Sequence, residues 1–78
     1  MKVLRRKFKT NEFGEKEKEP FETKVEEVDL NGYYDLMRFE KTLANNPKVL
    51  FRFSLVQGEI HHLTKITSGY VEEIRIIG

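Results

Sequence analysis

From Val49 to Ile77 apolar and polar residues alternate through three runs, parted by Gln57-Gly58 and Ser68-Gly69. A period of two sends alternate side chains to opposite faces of a strand, and short glycine-containing breaks between such runs are hairpin turns. The spacing predicts an antiparallel meander with strands over 49–56, 60–66 and 70–77. Val49, Phe51, Phe53 and Leu55 share one face of the first strand. In the last, Ile74 and Ile76 share a face and Ile77 takes the other. Apolar groups on both faces predict a strand covered on both sides, either inside the sheet or across a partner subunit. Loss of residues 74–78 is therefore expected to abolish folding.

A meander of three strands needs a lid, and one candidate precedes it. Leu36, Phe39 and Leu43 recur at helical spacing, with Tyr33, Met37 and Ala44 widening the stripe. A helix is expected over 33–44, with Asn31 as its N-cap and Asn45-Asn46-Pro47 as its stop. Tyr33 and Tyr34 diverge by about 100° on a helix, so one packs inward and Tyr34 stays exposed. Before the helix, Val3–Thr10 reads as a strand, with Leu4 and Phe8 on one side and Arg5, Lys7 and Lys9 on the other, outward one. Phe21, Thr23 and Val25 alternate as its partner, and a phase change after Val25 marks a bulge or strand end near Glu26-Glu27. Between them, residues 11–19 form an exposed and mobile hairpin loop whose Phe13 is expected to fold back onto the core.

The expected fold class is α+β, a single domain over residues 1–78 in the order ββαβββ, with one amphipathic helix on a mostly antiparallel sheet. Its core should include Leu36, Phe39, Leu43, Phe51, Phe53, Ile60 and Ile74. At 78 residues that core is small, and a chain without cysteine has no disulfide to reinforce it. A homodimer and a monomer are equally compatible with these features. No apolar run reaches membrane-spanning length, and the expected setting is cytoplasmic.

Charge is segregated although the net value is only +1. Residues 1–9 hold Lys2, Arg5, Arg6, Lys7 and Lys9 with no acid, whereas residues 10–29 hold eight acids against three lysines. Paired strands would neutralise these charges across their ladder; a partner-binding surface is the alternative.

The chain offers no motif for chemistry. His61 and His62 are adjacent strand residues and so should point apart, which argues against a shared metal. Glu26-Glu27 and Glu72-Glu73 read as solvated strand charges. Ser54 and Ser68 lack a nucleophile context, and there is no phosphate-binding glycine loop. No cofactor, metal ligand or catalytic residue is expected, although a site formed only on oligomerisation would escape such reading. No family motif set is recognisable; size and composition alone are similar to those of small phage and mobile-element accessory proteins.

The expected function is a non-enzymatic protein-interaction module, an inhibitor or regulator. Partner-binding candidates are Arg5, Lys7, Lys9, Phe13, Tyr34 and Arg38. The alternative is a small nucleic-acid-binding protein whose basic N-terminal strand tracks phosphates around Phe8.

Overall fold

The computed structural model describes all 78 residues. Strands β1 (Lys2–Lys9) and β2 (Glu22–Glu27) precede helix α1 (Tyr33–Ala44), and β3 (Leu50–Val56), β4 (Glu59–Ile66) and β5 (Tyr70–Ile76) follow it. The five strands form one antiparallel sheet in the order β2-β1-β5-β4-β3. The apolar final strand is thus the central one, and β2 and β3 are the two edges.

The α+β class, the helix boundaries and the meander match the sequence. Gln57 and Gly58 both take positive φ, 52° and 81°, the backbone that lets a two-residue turn follow the twist of its flanking strands. Asn45 is the left-handed C-cap, its N–H donating to the Lys41 carbonyl. The N-cap is Gly32 and not Asn31: the chain enters the helix at φ 150°, ψ −174°, which a glycine adopts freely and a side-chain-bearing residue rarely does.

Val3, Leu36, Leu63 and Ile74 are the fully buried centre, with Tyr33, Met37, Phe51, Phe53 and Ile76 against them. Phe51, Phe53 and Ile60 are only half-buried, while Phe39 and Leu43 are exposed. The helix turns Tyr33, Leu36, Met37 and Glu40 to the sheet, so Phe39 and Leu43 fall toward the β2 side of the inner stripe. Tyr33 has a specific task there. The β4–β5 ladder ends at Leu63 opposite Ile74, and a rung two residues further on would set His61 opposite Ile76. The Tyr33 hydroxyl occupies that rung, donating to the His61 carbonyl and accepting from the Ile76 N–H, each at 2.9 Å. One side chain thereby fixes the start of the helix over the gap between two strands.

No helix is long and apolar enough to cross a membrane.

Candidate functional site

The two faces of the sheet carry different chemistry, and the register says where each residue falls. On the helix side, one row across the strands runs Phe53, Leu63, Ile74, Arg5 and Lys24. The next runs Phe51, Lys65, Glu72, Lys7 and Glu22. The covered layer is therefore apolar toward β3 and ionic toward β2.

This corrects the expectation for β1. Val3, Arg5 and Lys7 face the helix, and Leu4, Arg6 and Phe8 face away. Arg5 reaches three carboxylates: its Nε donates to Glu26 at 2.6 Å, Nη1 to Glu72 at 3.5 Å and Nη2 to Glu40. Glu40 also meets Lys65 at 3.9 Å. The Arg5 side chain is 13% exposed, that of Glu40 3% and that of Glu72 4%, so Glu72 is not a solvated strand charge. No buried side-chain polar atom lacks a hydrogen-bond partner.

The same guanidinium leaves its acids in different states. The hydrogen bond from Arg5 holds the Glu26 carboxyl below its usual range. Burial pushes Glu72 up in spite of Arg5 and Lys65, because removal from water disfavours the charged form. A cavity of about 450 Å³ opens beside this network, lined among others by Lys7, Glu22, Phe39 and Leu43.

On the uncovered face a row of apolar residues, Phe8, Val71, Ile66 and Leu50, lies beside a polar one, Thr23, Arg6, Glu73, Thr64 and Arg52. Phe8 is buried here without the helix: Lys16 lies 4.4 Å and Arg6 5.6 Å from its ring centroid. Both cations also hold Glu73, Arg6 at 3.1 Å. Burial alone would raise the Glu73 pKa, but the bond from Lys16 and the nearby cations bring it below the usual range. Lys16 is placed by the 11–19 segment, whose Asn11 side chain accepts from the Phe13 and Glu15 N–H groups. A cavity of about 510 Å³ follows between this segment and β3–β4, walled by Gly14, Lys16 and Glu73 on one side and by Arg52, Ser54 and His62 on the other. Arg52 makes no ion pair.

Of the residues singled out from sequence, Arg5 and Lys7 belong to the helix-side network, Lys7 lying 3.8 Å from Glu22. Lys9 sits 5.9 Å from the Phe21 ring centroid at the far end of β1. Phe13 is 78% exposed and does not fold back onto the core; its own N–H donates to the Asn11 side chain and its neighbours are held by backbone and Asn11 bonds, which leaves the ring outside. Tyr34 is exposed, as expected, and meets the Phe53 ring edge-on at 5.2 Å. Arg38 is exposed with Asp35 at 3.9 Å. The six do not form one site.

The histidine pair also departs from expectation. Ser54 pairs with His62 but Leu55 pairs with Ile60, so His61 is an extra residue in β4. Such an irregularity breaks strict alternation, and the two Nδ1 atoms come to 2.9 Å, with one ring N–H donating to the other. Burial lowers the His62 pKa, which favours its neutral form. No third histidine or carboxylate joins them in a metal-holding group.

Lys16 and Glu40 were missed, and Arg52, which stands between Phe51 and Phe53 as on a basic-aromatic sheet surface, was not among the partner-binding candidates. Glu40 had a signal, since it stands four residues after Leu36 on the inner stripe; Arg52 and Lys16 meet only through the fold. No protein-family model matches the chain, and no match is found among curated proteins or solved structures.

Proposed function

We propose that this chain is a non-enzymatic protein-interaction module, an inhibitor or regulator that docks through the uncovered face of its sheet. The observation that carries this reading is the cavity between the 11–19 segment and β3–β4. It places the unpaired Arg52 beside Ile66 and Val71, and Phe13 stands exposed next to Gly14 in the chain. Apolar floor, charged rim and a projecting aromatic are the parts from which protein interfaces are built. The complementary partner surface presents a carboxylate beside an apolar side chain.

The basic N-terminal strand gives the nucleic-acid alternative less support. Arg5 and Lys7 face inward, Arg6 is bound to Glu73, and of the five cations in the strand only the exposed Lys2 and Lys9 have no ion-pair partner. Two free cations yield a salt slope of only about −2, against the several contacts that nucleic-acid binding needs.

The test is affinity capture from native lysate with and without nuclease, using the unsubstituted protein and Arg52→Glu. The expected outcome is a protein that survives nuclease and is lost with Arg52→Glu. Capture that disappears with nuclease, or that ignores Arg52→Glu, contradicts the proposal.

A further inference from the structure

The two edges of the sheet are built differently. Along β2, Glu22, Lys24, Glu26 and Glu27 alternate charge with little else. Charge of this kind is how natural sheets prevent strands from adding to an edge. Along β3, Leu50-Phe-Arg-Phe-Ser-Leu-Val56, only Arg52 is charged, and Leu50, Leu55 and Val56 are 58%, 61% and 55% exposed. The irregularity beside it lies in β4, so β3 itself remains a regular strand with its outer backbone groups unpaired.

From this edge we infer that the chain forms a symmetric dimer in which β3 pairs antiparallel with β3 of a second copy, centred on Phe53. The strand is self-complementary about that residue. Leu50 falls opposite Val56 of the second copy, Phe51 opposite Leu55, Arg52 opposite Ser54 and Phe53 opposite itself. Every apolar residue meets an apolar one. Arg52 meets a hydroxyl, so no like charges oppose each other, and like charges directly across a ladder are destabilising. The same operation on β2 sets Glu22 against Glu27, which marks β3 as the pairing edge.

Directly opposed residues share a face, so this register puts both helices on one side. Tyr34, exposed and edge-on to Phe53, then stands at the seam beside the second Phe53. An isologous two-fold contact of this type closes on itself and does not propagate into a fibre. It also adds apolar burial to a molecule with only four fully buried apolar side chains. The uncovered face stays open in the ten-stranded sheet, with Arg52 and Ser54 common to the seam and the docking cavity; Val56 lies outside that cavity, so Val56→Lys tests the dimer separately from docking.

The test is sedimentation equilibrium of the full chain up to about 1 mM, the weak end of the affinity scale. The unsubstituted protein is expected to dimerise. Val56→Lys and Ser54→Lys should each weaken dimerisation at least about tenfold, because each acts twice across the two-fold axis. Ser54→Glu, which faces Arg52 of the second copy, should not weaken it. Hydrogen exchange of the unsubstituted protein gives a readout free of substitutions: protection of β3 amides should rise with concentration. A strict monomer throughout, concentration-independent β3 protection, or a dimer indifferent to both lysine variants overturns the inference.

Discussion

Beneath the helix, two adjoining regions, one fully buried and one nearly so, are held by opposite chemistry. Around Leu36, Leu63 and Ile74 the side chains are apolar and need only fill space. Around Arg5 three carboxylates and Lys65 are drawn from β2, α1, β5 and β4. The first region degrades by degrees when a group is removed, because its losses scale with area and cavity. The second depends on its shared cation, Arg5, since buried carboxylates that lose it retain their desolvation cost. A chain of nearly zero net charge can thus carry a strongly basic strand as part of its interior.

The largest expected effect comes from breaking the ionic region alone. Arg5→Met strands Glu40 and Glu72, and urea unfolding should show a loss of about 3–5 kcal/mol. That range matches or exceeds the roughly 2–5 kcal/mol expected for Leu63→Ala in the apolar region. It also departs from the slight change expected had Arg5 been a surface charge, for which exposed pairs contribute about 0–1 kcal/mol. A loss below 1 kcal/mol for Arg5→Met removes the distinction between the regions.

Tyr33→Phe sharpens it from the apolar side. The substitution keeps the ring but leaves the His61 carbonyl and the Ile76 N–H without the hydroxyl between them. A loss of about 1–3 kcal/mol is expected, with faster amide exchange at Ile76. Unchanged exchange there contradicts the assigned bridge.

The smallest effect, and the most selective, is in pH dependence. Glu26 is held below its ordinary value near 4.5. Its contribution is therefore complete above that pH and is lost as pH falls through its folded value. Glu72 is raised, so its charged form is a cost at neutral pH that is relieved as pH falls through its folded value. Glu26→Gln should be less stable than the unsubstituted protein at pH 7, with the gap closing in acid. Glu72→Gln should be as stable or more stable at pH 7, with its advantage closing as pH falls toward 4.5. Equal loss from both at pH 7 contradicts this assignment.

Much of the fold was legible because its signals are local. Helical spacing from Tyr33 to Ala44, the Gln57-Gly58 turn and the alternation of β3 to β5 need no distant partner to be read. The direction in which β1 faces was not legible. Alternation separates Val3, Arg5 and Lys7 from Leu4, Arg6 and Phe8, but it does not say which set is inward. Leu4 and Phe8 outweigh Val3 by composition. The outcome is decided by Glu40, 35 residues away, and Glu72, 67 away. His61 escaped for a related reason, since a one-residue irregularity in β4 leaves no mark on the run that contains it. The apolarity of Phe13 points it inward, and the turn built on Asn11 holds it out.

A double-mutant cycle between Arg5 and Glu40 tests most directly whether the ionic region is one unit. Arg5→Met, Glu40→Leu and the double variant are compared by urea unfolding at pH 7. Each single change leaves buried charge unmatched, whereas the double change removes both partners together. The account predicts that the double variant is more stable than the sum of the two single losses implies, with a coupling of about 1–3 kcal/mol, the range for residues in one network. Additivity within about 0.5 kcal/mol, as for independent sites, contradicts it.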